Sequence, residues 1–194
     1  MKPILFNTSM VRAILDGRKT VTRRVVKARN TEIIGKPKWA KGPYWFDVIK
    51  TENGQKVATA DMILPPYKQG DILYVRETWG YDKNNWLYKA DFTPADLDRI
   101  ASITRWRPSI HMPKEAARIF LRVTNVRVER LQDIMDDTPG PNNQVVREGC
   151  KYGCDFIALW DRTIKEADKP LYGWDANPWV WVIEFERINM ERDD

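Results

Sequence analysis

The sequence predicts an α+β domain: a small closed β-barrel decorated by helices and insertion loops. Three observations carry that expectation. Several strand-like runs are spread along the 194 residues with few helical runs between them. The last run, WVWVIEFERI at 179–188, is apolar on both faces, with Trp179, Trp181, Ile183 and Phe185 on one and Val180 and Val182 on the other. That is the pattern of a central or barrel strand. No internal repeat or linker interrupts the chain, so residues 1–194 read as one domain with insertions near 27–69, 91–118 and 138–144.

The elements follow in order. Thr8 or Ser9 can cap a helix whose apolar positions are Met10, Val11, Ile14 and Leu15, and Gly17 suits the left-handed residue that ends it. From Thr20 the period becomes two, which puts Thr20, Thr22, Arg24 and Val26 on one face and Val21, Arg23 and Val25 on the other, with Arg23 pointing away. Residues 27–69 are rich in Lys, Gly and Pro, with weak strand patterns at YWFDVIK and KVATA, and read as a loop or hairpin insertion. ILYVRETW is a strong strand after the Gly70-Asp71 turn, and 86–90 is its hairpin partner through 82–85. Residues 91–118, with Pro94, Pro108 and Pro113, read as irregular. The strand at 119–130 changes parity between Val123 and Val126, which requires a bulge near Thr124-Asn125. A helix-like stretch from Leu131 to Asp137 meets TPGPNN, and Asp155 can cap a second helix bearing Phe156, Leu159, Trp160 and Ile164.

Composition narrows the function classes. Hydrophobic residues make up 43%, enough for a core. No apolar run approaches the ~18 residues of a membrane span, and the start, MKPILFNTSMVR, has too short an apolar run for a secretory signal, so a cytoplasmic protein is expected with no membrane partner. Cys150, Cys154 and His111 are too few for a structural zinc site, and reduced thiols are expected. No metal or other cofactor is expected. The net charge is +5, and nine basic residues between Arg18 and Lys41 (Arg18, Lys19, Arg23, Arg24, Lys27, Arg29, Lys36, Lys38 and Lys41) face only Glu32. Such asymmetry favours phosphate-bearing partners, unless the run is a solvated face.

The run GRKTVTRR, Gly17 to Arg24, concentrates the chemistry. A lysine base, threonine nucleophiles and arginine forks fall within one turn and one strand start, and Thr22 and Arg24 share a face. The plainer alternative makes Lys19 a solvated turn residue and Thr22 an ordinary strand threonine. Glu77 and Trp79 share a face after the strong strand, and either hydrogen-bond and stack a base or form a rim salt bridge over a packed indole. Trp174 belongs to the turn WDAN before the last strand and is a further binding candidate, with Asn177 bracing that turn. His111 has no evident partner in the sequence.

The blocks ILFNTSMVRAILDGRKTVTRR, GDILYVRETW, VRVERLQDI with Glu148-Gly149, and YGWDANPWVWVIEF, in that order from Ile4 to Phe185, resemble the ASCH family of the PUA-like β-barrel superfamily, in particular its larger phage and prophage members. The resemblance implies a PUA-like barrel. One compact bacterial group of ASCH proteins hydrolyses N(4)-acetylcytidine to cytidine and acetate without a metal. Its GRKT-x-T-x-R motif falls on Lys19, Thr22 and Arg24, and its later glutamate on Glu148, with TPGPNN as an insertion before it.

In that chemistry Thr22 attacks the acyl carbonyl, Lys19 takes its proton, and Glu148 carries protons to the leaving nitrogen and from water. Lys19 must then be neutral when it acts, a state that burial and neighbouring cations favour. Arg24 binds the cytosine carbonyl or holds Glu148, with Glu77, Trp79 and Trp174 as further substrate contacts. The expected partner is a small acylated nucleoside, and the protein a monomer or weak dimer. The alternative implied by PUA-like barrels is an RNA-binding module without catalysis, supported by the basic first third and nine tryptophans. An ASCH-type ribonuclease ranks last, because no carboxylate/His cluster has metal-site spacing.

Overall fold

The structure is a computed structural model that describes residues 1–27, 31–39, 44–52, 55–82, 85–100, 105–135, 140 and 143–190. Arg29, Lys41 and most of TPGPNN, and with them much of the 138–144 insertion, lie outside the described residues. In chain order the elements are β1 (Lys2–Leu5), α1 (Thr8–Leu15), β2 (Val21–Val25), β3 (Thr31–Ile33), β4 (Lys38–Trp39), β5 (Tyr44–Glu52), β6 (Gln55–Ile63), β7 (Ile72–Arg76), β8 (Trp79–Asp82), β9 (Asn85–Tyr88), α2 (Pro94–Ile100), β10 (Phe120–Arg130), α3 (Gln144–Arg147), α4 (Gly153–Thr163), α5 (Lys169–Tyr172) and β11 (Trp179–Ile188). The mixture of helix and strand is α+β.

The main sheet has the order β1-β7-β10-β11-β2; β1 and β7 are parallel and every other pair is antiparallel. The β10–β11 register slips between Val123 and Asn125. The slip lets Leu121 and Val123 before it, and Val126 and Val128 after it, pack against one core.

The expected closed barrel is not formed. Among the described residues β1 and β2 are the two sheet edges, and no ladder joins them. The sheet curls, and a side chain spans the gap: Arg24 on β2 donates through Nη2 to the Leu5 carbonyl on β1 at 3.1 Å. The two apolar faces of β11 have a different cause from closure. Trp181, Ile183 and Phe185 enter a core shared with Val11 and Ile14 of α1 and Phe46 and Val48 of β5. Val180 and Val182 enter a second core with Val21, Leu131, Val145, Phe156 and Trp160.

Other expectations shift in detail. Residues 27–69 contain a hairpin: β5 pairs along its whole length with β6, and its other edge takes β3 and β4. Residues 91–118 are not wholly irregular, since they hold α2 and two 3-10 turns, Ser109–His111 and Lys114–Ala116. His111 is exposed there. The helix expected from Leu131 is a 3-10 turn, Leu131–Ile134, and residues 136–137 lie outside the described set. Asn7, not Thr8 or Ser9, caps α1, because its side chain reaches Met10 N at 2.9 Å. Asp155 is the third residue of α4 and accepts from Tyr152 N at 3.0 Å, so the helix begins earlier than expected.

Candidate functional site

Two left-handed glycines deliver the site. Gly17 (φ 74°) ends α1, and the N–H groups of Arg18 and Lys19 both return to the Ala13 carbonyl at 2.9 Å. The chain therefore leaves the helix tightly, and Lys19 turns inward. Gly149 (φ 88°) ends α3, and a Cβ there would lie 2.8 Å from Ala13 Cβ and 3.4 Å from Lys19 Cβ. Any side chain would thus meet strain and a clash together. A backbone bond from Thr20 N to the Arg147 carbonyl (2.9 Å) fixes the two turns against each other.

Lys19 and Glu148 meet at that junction. Lys19 is 2% exposed and Glu148 3%. The Lys19 ammonium donates to Glu148 Oε2 at 2.6 Å, to the Glu148 carbonyl at 2.8 Å and to the Val21 carbonyl at 2.8 Å. Three acceptors use all three of its hydrogens. Burial pushes the Lys19 pKa down; the Glu148 carboxylate pulls it back, and Arg24 adds to the lowering.

Thr22 and Arg24 share a face, as alternation predicts. Arg24 Nη1 donates to Thr22 Oγ1 at 2.9 Å and to the Arg23 carbonyl at 3.0 Å. Thr22 is buried, and its own hydroxyl hydrogen meets no acceptor among the described residues. No hydrogen bond joins Lys19 Nζ to Thr22 Oγ1, since the three Lys19 donors are taken.

Arg23 corrects the sequence reading. It faces the second core as alternation requires, but it is 2% exposed and binds Glu148 Oε1 through Nη1 at 3.1 Å. Its Nη2 reaches Gln144 Oε1 at 3.2 Å and Glu129 Oε2 at 3.5 Å. β2 is an edge strand, so side chains from both of its faces can converge beyond its open edge. Arg23, not Arg24, holds Glu148. Behind it the charges continue: Glu129 pairs with Arg127, Arg127 with Glu184, and Glu184 with Arg147.

Thr22, Arg23, Arg24 and Glu148 line a pit of about 40 Å³ whose other walls include Phe156, Leu159 and Trp160. It adjoins a cleft of about 600 Å³, which shares Met10, Arg23, Arg24, Trp160 and Thr163 with it and extends to Thr78, Pro108 and Ser109. Trp160 was legible only as an apolar helix position, and nothing in its spacing marked it as a pit wall.

The remaining candidates lie elsewhere. Glu77 does not line the cleft; it is 1% exposed and forked by Arg118 at 2.9 and 3.2 Å, with Arg118 also on Asp91. Trp79 packs in a third cluster with Met112, against the Trp86 ring and under Arg107. Trp174 packs edge-on to Phe156 beneath α4, and its carbonyl accepts from Gln132. Asn177 does brace its turn, accepting from Gln132 N at 2.9 Å at a positive φ of 44°. Cys150 and Cys154 are free thiols. Among the described residues no group of three His, Cys, Asp or Glu side chains could hold a metal.

No family model, no curated protein and no solved structure matches the chain.

Proposed function

We propose that the protein is an ASCH-type amidohydrolase of PUA-like ancestry that removes small acyl groups from N(4)-acylated cytosine nucleosides, converting N(4)-acetylcytidine and water to cytidine and acetate. One observation carries the reading: the Thr22 hydroxyl, bonded by Arg24, opens on the same pit as a Glu148 carboxylate that is held by Lys19.

The chemistry follows from those contacts. Lys19 passes a proton to Glu148 across their 2.6 Å bond and is left as a neutral amine, the form its burial favours. Release of one carbonyl contact lets that amine turn to take the Thr22 proton. Thr22 Oγ attacks the acyl carbon, and the Arg24 guanidinium stabilises the developing charge on oxygen. Protonated Glu148 gives its proton to N(4), the C–N bond breaks, and cytidine leaves with the acyl group on Thr22. Water then gives one proton to Glu148 and attacks the ester carbonyl; the acyl–Oγ bond breaks, Lys19 returns its proton to Thr22 Oγ, and the acyl group leaves as acetic acid, which ionises.

The test is direct. Purified protein with N(4)-acetylcytidine in the presence of a chelator should release cytidine, and Thr22→Ala should abolish release. Absence of cytidine from the wild type, or equal turnover by Thr22→Ala, refutes the reading.

A further inference from the structure

The cleft beside the pit is already the size of a small-molecule site, which runs from ~300 to 1,000 Å³. A second hollow of about 330 Å³ continues from it, sharing Arg24, Val25 and Lys27 and walled by Leu64, Tyr67 and Trp181. It comes from the segment after β6, so the hairpin inserted between β2 and β7 builds a wall that one nucleoside does not need.

The seam between the two hollows is positively charged. Arg24 and Lys27 pair with no carboxylate among the described residues, whereas Arg23, Arg118, Arg127 and Arg147 all do. Arg24 commits three of its five N–H groups to Thr22, Arg23 and Leu5, so it supplies mainly field. The Tyr67 hydroxyl is likewise spent on the Pro3 carbonyl at 2.7 Å. Lys27 is exposed, and its nearest aromatic contact, the Tyr172 ring, is 6.0 Å from the ammonium. An anion at this seam would find one exposed lysine with hydrogens to give and a half-buried cation behind it.

We infer that the second hollow is a subsite for the phosphate-bearing continuation of the substrate, with Lys27 as the phosphate anchor. The ligand class is a phosphorylated nucleoside, either a mononucleotide or a residue within a strand. The identity of the base in the first hollow rests on the function proposed above; the phosphate contact does not.

Calorimetric titration separates the two. Cytidine, cytidine 5′-monophosphate, cytidine 3′-monophosphate and a cytidylyl-adenosine dinucleotide are compared at low and high salt, with inorganic phosphate as control. At least one phosphorylated ligand should bind about two- to fivefold more tightly than cytidine, the range of a single exposed ion pair. The gain should shrink with salt, vanish in Lys27→Ala and return in Lys27→Arg. A monophosphate that outbinds the dinucleotide identifies a mononucleotide substrate; the reverse order identifies a strand. Equal affinity for cytidine and all its phosphorylated forms, or a gain that survives Lys27→Ala, overturns the subsite. If the protein hydrolyses N(4)-acetylcytidine yet shows no gain, the subsite alone fails. A Lys27-dependent gain without any hydrolysis leaves the subsite standing and removes the amidohydrolase reading.

Discussion

Lys19 Nζ stands 2.6 Å from Glu148 Oε2, with the Lys19 side chain fully enclosed and Glu148 nearly so, open only toward the pit. A buried pair adds little over an apolar pair, but breaking it strands a charge, at about 3–5 kcal/mol. Lys19→Met leaves Glu148 with Arg23 alone, and Glu148→Gln leaves Lys19 without a carboxylate and Arg23 with only the longer contact to Glu129. Each should lower stability by roughly 3 kcal/mol, read from urea midpoints. Residues in one network couple, so the double variant should lose clearly less than the sum. Additive losses would mean that the two side chains do not depend on each other.

Arg24 donates to Thr22 Oγ1 and to the Arg23 and Leu5 carbonyls with two nitrogens of one planar group. A lysine has one nitrogen and cannot reproduce that fork. If the Thr22 bond stabilises negative charge on oxygen, Arg24→Lys should reduce kcat by about 10²–10³. Thr22→Ser, which keeps the hydroxyl, should retain measurable turnover while Thr22→Ala retains none. Unchanged kcat in Arg24→Lys would make the contact purely structural.

Lys19 gives two pH dependences. Burial holds its pKa below the ordinary lysine value of ~10.4, and the reaction uses the proton that Lys19 shares with Glu148, so kcat/KM for N(4)-acetylcytidine should fall as pH rises through that lowered value and the pair loses the proton. For stability, the unfolded chain holds the extra proton between the folded and unfolded values. Stability therefore rises with pH across that window and is lost as pH falls through the folded value. Lys19→Met should remove this rise. A variant that keeps it would assign the effect to another group.

These residues also mark how far the sequence could be read. Alternation from Thr20 placed Thr22 and Arg24 together because the period of a strand is rigid. It sent Arg23 away because face assignment does not reveal that β2 is an edge, where residues of both faces line one pit. Glu148 came only from a resemblance, since its nearness to Lys19 depends on Gly17 and Gly149 closing two turns against each other. Apolar residues on both faces of β11 correctly marked an interior strand, but two separate cores produce that pattern as well as a barrel does. Glu77 and Trp79 shared a predicted face, yet β7 ends at Arg76 and each joins a different packing unit.

The pit sets the acyl size. Its 40 Å³ between Thr22, Glu148, Leu159 and Trp160 admits a group of a few heavy atoms. N(4)-acetylcytidine should be turned over at least about tenfold faster than the N(4)-benzoyl compound, a difference that even ~1–3 kcal/mol of pocket fit supplies. Leu159 lies half-buried on α4, away from the Lys19 contacts. Leu159→Ala should narrow the ratio by enlarging the pit. An unchanged ratio would place the acyl group elsewhere.

Glu77 tests whether a buried carboxylate here serves binding or folding. Burial raises its pKa and the Arg118 fork pulls it back, while Arg118 lies 3.9 Å above the Tyr88 ring and also holds Asp91. Arg118→Ala would leave an uncompensated buried charge, at a cost of about 3 kcal/mol near neutral pH. The sign with pH follows from the raised value. A carboxyl whose folded pKa exceeds its unfolded one contributes stability below the unfolded value and loses it as pH rises through the folded one. Removing Arg118 raises the folded value further, so the deficit against wild type should be small near pH 4 and grow toward pH 7. Urea midpoints of both proteins across that range, with N(4)-acetylcytidine turnover measured beside them, decide between the roles. A structural clamp gives a pH-dependent loss of stability with turnover retained by the folded fraction. A flat deficit, or lost turnover at full stability, would return Glu77 to the substrate site that its sequence position suggested.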